Sequence, residues 1–336
     1  MLKISVVIPS YNQGAYLEET ILSIINQNYS ELEIFVFDGN SKDNSVEVIR
    51  KYEKHLTYWE SVPDKGQSHA INKGLQRATG DIVTWLCSDD YYTEGALKKV
   101  NEMFSALPES TGLIFGSSRI FNRKGTVRTD KGFPEQTNER VFAGMSFPQP
   151  SAFFRRSVLE KAGLLEDNLH YGMDYDLFSR LKVICDFKST DFCFSNYRLH
   201  EVGKTTMAVG KFIGEWTKVF NSIIAGLELS VIQDELKKMS FDTSEIERTK
   251  TFFSRHKNTV RVDQDVLLYN FLVNVIRFDY ASSQIQRCRL IGNYLESHFQ
   301  NKLILEPEIQ KIIKRSRLPV PVILLLRRVK AIIDTE

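Results

Sequence analysis

The sequence predicts an α/β fold, a mostly parallel sheet flanked by helices, followed by an all-helical C-terminal region. Three observations lead there. Between residues 2 and 86, β-branched apolar runs alternate with stretches of helical period, the rhythm of βαβ units. Three apolar runs end in polar, turn-forming clusters at residues 9–12, 38–43 and 88–90, and in a parallel sheet such ends open on one rim. Beyond about Met207 the turn punctuation stops and the pattern becomes helical, dividing the 336 residues into domains at 1–206 and 207–336.

In order, the first strand covers residues 2–9 and is closed by Pro9. Leu17, Ile21, Leu22, Ile24 and Ile25 give residues 14–28 an apolar helical face. A strand at 32–37 runs into Asp38-Gly39-Asn40-Ser41-Lys42-Asp43, where Asp43 is placed to cap a helix at 44–54. A short strand near Tyr58, a turn at Pro63-Asp64-Lys65-Gly66, a helix at 67–78 and a buried strand at 82–86 follow. Next come a helix at 97–106, strands at 112–121, 126–130 and 149–154, and a helix at 155–162 stopped by Gly163. A helix reaching Ile184 and strands at 186–188 and 192–200 close the first domain. The second reads as helices at 211–239, 244–257, 263–280, 284–299 and 306–316.

Hydrophobic content of 42% and charged content of 26% are those of a soluble globular chain. A net charge of +2 gives no bulk attraction to nucleic acid, which is not an expected partner. Cys87, Cys185, Cys193 and Cys288 lack CxxC spacing, which argues against a zinc site and for reduced thiols in the cytoplasm. The N-terminal apolar run is too short for a signal peptide, and no apolar stretch reaches the ~20 residues that span a bilayer. Residues 302–330 carry eight Lys or Arg around an apolar run at 318–326. This reads either as an element lying on an anionic inner-membrane surface, or as a helix packed on the body or on a second subunit of a homodimer.

The chemistry concentrates at Ser88-Asp89-Asp90. Adjacent carboxylates at the end of a buried strand repel each other and lose hydration, so a hard divalent cation suits them. A helix cap by Asp90, on a helix starting near Thr93, fits the same residues. Trp85 alternates with Leu86 within the strand and reads as core packing.

Several motifs then occur in a fixed order. They are Val6-Val7-Ile8-Pro9-Ser10-Tyr11-Asn12, Val36-Phe37-Asp38-Gly39-Asn40-Ser41, Asp64-Lys65-Gly66-Gln67-Ser68 and Ala70-Ile71-Asn72-Lys73-Gly74. Trp85-Leu86-Cys87-Ser88-Asp89-Asp90, Pro150-Ser151-Ala152-Phe153-Phe154, Met173-Asp174-Tyr175-Asp176-Leu177 and Tyr197-Arg198-Leu199-His200 follow. Jointly, over residues 2–206, they resemble inverting family 2 glycosyltransferases with the GT-A fold, of the bacterial polysaccharide and glycolipid type. The resemblance implies metal-dependent, inverting transfer of a sugar from a nucleotide-diphosphate sugar, UDP-sugar favoured, to a hydroxyl of a glycan or lipid-linked acceptor. It implies Mn2+ or Mg2+ as cofactor and a cytoplasmic enzyme, peripheral on the inner membrane's cytoplasmic face.

The same resemblance assigns residues. Pro9, Tyr11 and Asp38 would hold the nucleobase, and Asp64, Lys65 and Asn72 would line its pocket. Asp90 would bind the metal, and Asp89 the ribose or a metal-bound water. Asp174 would deprotonate the acceptor hydroxyl, with Asp176 as runner-up. His200 would be a further metal ligand, and Lys204, supported by Thr205, would meet phosphate. Arg155 and Arg156 are candidates for facing the acceptor. The chain departs from the family's common pattern at Cys87, where Asn is frequent, and at Met173-Asp174, where Glu-Asp is frequent. Two alternatives are a sugar-phosphate nucleotidyltransferase and a non-catalytic nucleotide-sugar-binding protein on the same fold. The first needs a glycine-rich phosphate loop that Pro9-Ser10-Tyr11-Asn12-Gln13-Gly14 lacks. The second is at odds with Asp38, Asp90, Asp174 and His200 occurring together.

Overall fold

A computed structural model of the chain describes residues 1–201, 203–204 and 209–323. They form two compact units, one drawn from residues 1–137 and 145–204, the other from residues 138–144 and 209–323.

The first unit is built on one nine-stranded sheet: β1 Ile4–Ser10, β2 Leu32–Asp38, β3 Tyr58–Ser61, β4 Ile82–Trp85, β5 Tyr91–Tyr92, β6 Thr111–Asn122, β7 Gly125–Asp130, β8 Ala152–Arg155 and β9 Asp186–Arg198. The order is β3-β2-β1-β4-β8-β6-β9-β5, with β7 paired to β6. β1 lies between β2 and β4 and runs parallel to both, Ser10 opposite Asp38 and Val7 opposite Trp85. β8 is antiparallel to β4 and β6, so the sheet is mixed.

β1 is buried on both faces, as a continuous apolar run requires. Ile4, Val6 and Ile8 share a core with Leu17, Ile21 and Ile24 of α1, Gly14–Ile25. Val7 points the other way, to α3, Gln67–Arg77, the third helix after α2, Ser45–Tyr52. A Cβ on Gly74 of α3 would lie 2.3 Å from Val7 Cγ1, so glycine sets how closely this helix approaches the strand. Trp85 is buried and stacked on Phe178 at 5.8 Å, in the core as expected.

Some elements differ from the sequence expectation. Asp43 accepts from Gly14 N at 2.8 Å and Ser45 N at 3.0 Å, so it ties together the starts of α1 and α2. The two strands expected at 186–188 and 192–200 are the single strand β9, whose register with β6 shifts along its length. Residues 149–151 form a 3-10 turn before β8. Arg155 is buried opposite Ile82, at the start of β4, and donates to Thr111 O and Phe104 O, both at 3.1 Å. Arg156 Nε donates to Gly80 O at 3.1 Å. Both arginines therefore sit by the start of β4, away from the polar strand ends, and the expectation that they face an acceptor fails.

The second unit is helical: Asn138–Val141, Val209–Gly226, Ser230–Lys238, Glu247–His256, Gln264–Ala281, Ile285–His298, Gln300–Leu303 and Pro307–Ser316. The helix expected at 211–239 is two, because Glu228 turns left-handed (φ 60°) and Leu229 N bonds back to Ile224 O at 2.9 Å. Phe220 and Phe271 stack at 3.8 Å in the core. Ile309 and Ile313 are buried, and Ile313 closes on Gly292, so residues 307–316 belong to the body of this unit. Ile304 and Leu305 remain 63% and 81% exposed. The part of the basic tail at 324–336 lies outside the described residues. Among the described residues, no helix is long and apolar enough to cross a membrane.

At the opposite end of the sheet from the polar clusters, buried Glu33 accepts from Ser5 Oγ at 2.6 Å, Thr79 N at 2.9 Å and Thr79 Oγ1 at 2.6 Å, and pairs with Lys3. Burial pushes its carboxyl up, but the bonds from Lys3, Ser5 and Thr79 outweigh this and pull it down to about 2. A depressed carboxyl stabilises the fold above its ordinary value of 4.5 and loses that contribution as pH falls toward about 2. Glu33→Gln is therefore expected to destabilise the protein by about 2 kcal/mol at neutral pH. The gap from wild type in thermal unfolding should close between pH 4.5 and 2, and a pH-independent gap would contradict the assignment.

Candidate active site

The parallel trio β2-β1-β4 delivers three strand ends to one edge, where the candidate residues gather. At the β1–β2 end, Asp38 is buried, and its carboxylate accepts from Ser41 N at 2.9 Å, Ser41 Oγ at 2.5 Å and Ser61 Oγ at 2.6 Å. Ser41 Oγ also accepts from Asn12 N at 2.8 Å, which locks the two loops together. Asn12 and Asn40 both sit at positive φ, 53° and 64°, which a short amide side chain tolerates. A Cβ on Gly39 would lie 3.0 Å from Asp64 Oδ2 and 3.2 Å from the Tyr11 ring, so Asp38-Gly39, Asp64 and Tyr11 form one small cluster. Tyr11 is 62% exposed and offers a free ring face, whereas Pro9 is buried in β1 opposite Phe37 and offers none. Asp64 accepts from Gly66 N at 2.7 Å, and Lys65 projects into solvent.

Asn72, expected in the same pocket, is used elsewhere. Its amide donates to Leu165 O at 3.0 Å and Asp167 Oδ1 at 2.7 Å and accepts from Leu165 N at 3.0 Å. This clasp fixes the 165–167 loop, and that is why the residue is buried.

After β4 the chain turns through Cys87, where Asp90 N bonds Cys87 O at 3.0 Å, and enters β5. β5 pairs antiparallel with β9, Tyr91 opposite Asn196 and Tyr92 opposite Ser195. That register carries Arg198 and His200 back alongside Asp90 and Asp89. Arg198 N donates to Asp90 Oδ1 at 2.9 Å and Arg198 Nε to Asp89 O at 3.0 Å. The guanidinium also pairs with Glu19 and lies over the Tyr16 and Phe121 rings. His200 Nε2 is 2.8 Å from Asp89 Oδ2, so the histidine expected beside Asp90 bonds to Asp89.

Asp90 does not cap a helix: the next one, α4, is Ala96–Ala106, and Asp90's carboxylate faces β9. Burial, reinforced by the Asp89 charge, pushes the Asp90 carboxyl well above the usual range despite Arg198. Burial and then Asp90, Asp89 and Asp174 push the Cys87 thiol well up, while Lys204 pulls it down. The Cys87 sulfur accepts from Gln67 Nε2 at 3.1 Å, and Lys204 Nζ donates to Gln67 Oε1 at 2.7 Å and His170 O at 3.0 Å. Thr205, expected to support Lys204, lies outside the described residues.

Asp174 is half-buried in the first turn of the helix Met173–Ile184, and its carboxylate accepts from Tyr175 N at 2.8 Å. The helix N-cap is Gly172. Asp176 is buried, its Oδ2 accepting from both Nη2 and Nε of Arg180, at 2.7 and 3.2 Å, and Arg180 also bonds Gly163 O and Leu164 O. That carboxylate is a structural counter-ion, which removes the runner-up base.

The residues fit a divalent cation. One ligand atom each of Cys87, Asp89 and Asp90 lies within 4.8 Å of the others; His200 is not of that group, though it bonds Asp89 and its buried Nδ1 has no hydrogen-bond partner among the described residues. Two participants had no assigned role in the sequence. Arg198 was visible only as part of Tyr-Arg-Leu-His, and Gln67 only as part of Asp-Lys-Gly-Gln-Ser; neither spacing reveals what the side chain touches.

Residues 5–163 match the sequence profile of the family described as Glycosyl transferase family 2. The chain is 29% identical over 259 residues to the GalNAc(5)-diNAcBac-PP-undecaprenol beta-1,3-glucosyltransferase of Campylobacter jejuni, covering 72% of this chain and 77% of that protein. It is 31% identical over 177 residues to an uncharacterized glycosyltransferase of Nostoc sp., covering 48% and 53%. Among solved structures, S. aureus TarS 1-349 in complex with UDP-GlcNAc superposes with a TM-score of 0.55 at 16% identity, covering 94% of this chain and 90% of that one. The mannosyltransferase PcManGT from Pyrobaculum calidifontis, in complex with GDP-Man and Mn2+, superposes with a TM-score of 0.50 at 15% identity, covering 100% and 88%. The fold is thus of the GT-A type, and residues 5–163, just under half of the chain, are similar to glycosyltransferase family 2.

Proposed function

We propose that the protein moves a sugar from a UDP-sugar to a hydroxyl of a glycan or lipid-linked acceptor, with inversion and with Mn2+ or Mg2+, in the assembly of a cell-surface glycan. The observation that supports this most is the gathering of Asp38, Asp89, Asp90 and His200 at the ends of parallel strands and the strand facing them. Asp38 keeps acceptor capacity for the imide N–H of uracil, and the exposed Tyr11 ring suits stacking on the base. Asp90, Asp89 and His200 would hold the cation, which when bound neutralises charge on the departing diphosphate. Asp174 takes the proton of the acceptor hydroxyl, and a carboxylate opposite the leaving diphosphate is what in-line, inverting displacement needs. Lys204, already directed at Gln67 and His170 O, supplies a cation for phosphate.

The relative from Campylobacter jejuni bears a lipid-diphosphate acceptor in its name, which favours a lipid-linked acceptor here. One superposed structure holds UDP-GlcNAc and the other GDP-Man with Mn2+, and both favour a nucleotide-sugar donor. An enzyme using lipid-linked acceptors gains from residence on the cytoplasmic membrane surface. The exposed Ile304 and Leu305 next to Lys302 provide an apolar and basic contact for it. A homodimer joined through the same C-terminal region is the competing use of these residues.

With a UDP-sugar and Mn2+, slow hydrolysis releasing UDP is expected, and Asp90→Asn should lower it by ~10²-fold or more and abolish Mn2+-dependent thermal stabilisation. Hydrolysis unaffected by that change would refute the cation assignment. Asp174→Asn should retain UDP-sugar affinity by calorimetry while transfer falls ~10²–10⁴-fold. Asp176→Asn should instead lower the unfolding temperature, by breaking a buried pair worth about 3–5 kcal/mol. If Asp176→Asn abolished transfer in a stable protein, the two roles would be reversed. Replacing both Ile304 and Leu305 by Glu should reduce co-sedimentation with anionic vesicles, and equal sedimentation would leave the membrane contact without support.

A further inference from the structure

We propose that the ribbon made by the end of β6 with β7 is a docking surface for an anionic phospholipid bilayer. The inference rests on the reading of the acceptor as lipid-linked, and adds to it a contact other than Ile304 and Leu305. Residues 119–131 carry Arg119, Arg123, Lys124, Arg128 and Lys131 against one carboxylate, Asp130. The whole chain has a net charge of only +2, so the positive charge here is a local concentration. All five cations are exposed, and none of Arg123, Lys124, Arg128 and Lys131 enters an ion pair with another described residue. Asp130 turns to the backbone instead, its Oδ1 accepting from Gly132 N at 2.9 Å.

The ribbon is placed beside the cation site. β7 pairs with β6 alone, and every residue from 123 to 129 is exposed, so both faces of the ribbon meet water. Its tip is a two-residue turn with Asn122 opposite Gly125, and Asn122 Oδ1 accepts from Lys124 N at 2.8 Å. At its root, β6 runs parallel to β9 with Phe121 opposite Arg198. The Phe121 ring lies 4.7 Å from the Arg198 guanidinium, and Phe121 O accepts from Leu199 N at 2.8 Å. His200, the partner of Asp89, is the next residue. Arg123 and Lys124 therefore project from the edge where the strand ends collect, and a bilayer meeting them lies in front of that edge.

The spread of the charges decides the occupant. Arg128 is opposite Ile120, the neighbour of Arg119, so the two arginines lie on opposite faces. A single diphosphate takes cations that converge on it. Cations on both faces and at the tip match a layer of anionic headgroups entered end on. Val127, 51% exposed next to Arg128, adds an apolar side chain for the boundary beneath the headgroups. Charged side chains also keep a free strand edge from pairing with another chain, a role the test separates.

The test is co-sedimentation of the full chain with mixed phosphatidylglycerol–phosphatidylcholine vesicles and with phosphatidylcholine vesicles. Wild type should bind the mixed vesicles, more weakly as salt rises, and should stay in the supernatant with the neutral ones. Replacing Arg123, Lys124 and Arg128 together by Glu should weaken partition at least ~10-fold. The conservative set Arg123→Lys, Lys124→Arg and Arg128→Lys should preserve it, because a headgroup layer responds to charge and not to fork geometry. Both comparisons are repeated in a chain carrying Ile304→Glu and Leu305→Glu, so that the ribbon's share is read by itself. Release of UDP from a UDP-sugar with Mn2+, measured without vesicles, should be unchanged by the ribbon substitutions, which shows the variants folded. A wild type that ignores the mixed vesicles, or equal partition after the triple reversal, overturns the proposal. So does a triple variant that self-associates while keeping its partition, since the cations then guard a strand edge. So does a ribbon that binds farnesyl diphosphate in solution but not vesicles, since it is then a subsite for a diphosphate. If donor hydrolysis is intact in those cases, the glycosyltransferase reading stands and only the membrane contact is lost. Partition carried by the ribbon in a protein without donor hydrolysis would reverse that outcome.

Discussion

Two neighbouring carboxylates held out of bulk water set the terms for this site. Asp89 and Asp90 lie 22% exposed by side chain and 2% exposed overall, so their repulsion is poorly screened. The fold answers with groups from the end of β9 and just beyond it. Arg198 gives a backbone N–H to Asp90 and a guanidinium to the Asp89 carbonyl, and His200, two residues past the strand, gives an imidazole to the Asp89 carboxylate. The compensation is partial, since the Asp90 carboxyl still stands well above its ordinary value, chiefly through burial. A site left short of positive charge in its own fold is predisposed to acquire it from a ligand.

The β2 end of the same edge is organised differently. Asp38 is equally buried, but its carboxylate is met by hydroxyls and a backbone N–H from Ser41 and Ser61, all neutral donors. The result is a rigid acceptor at a fixed place, joined through Ser41 and Asn12 to the neighbouring loop. One end thus offers neutral hydrogen bonding and the other charge, which suits the nucleotide-sugar donor proposed above. Both ends depend on β1, whose buried run is fixed by α1 on one face and by Gly74 of α3 on the other.

Much of this was legible in the sequence. The alternation of apolar runs and helical stretches gave the parallel strands, and the polar clusters marked where they end. What escaped notice depends on long-range register or on local backbone strain. The pairing of β5 with β9 decides that His200 meets Asp89, and no spacing between residues 89 and 200 encodes it. Asp176 and Asn72 look as functional as their neighbours in one dimension. Only the i,i+4 position of Arg180 and the return of the 165–167 loop show them to be structural. The helix break at Glu228 carries no glycine or asparagine at the left-handed position, so the usual stop signal is missing.

The segment leading into the Asp174 helix is fastened along its length to one scaffold. Asn72 clasps Leu165 and Asp167, Ser68 Oγ bonds Leu169 O at 2.5 Å, and Gly66 closes on the His170 ring. Each fastener belongs to α3 or its first residue's neighbour, so the distance from helix to Asp174 is measured out residue by residue. Such a stretch tolerates changes of side chain but not of length, because one inserted residue would break every later bond in the series. Among descendants of this protein that come to use new acceptors, insertions and deletions should be absent between residues 165 and 172 and accumulate elsewhere.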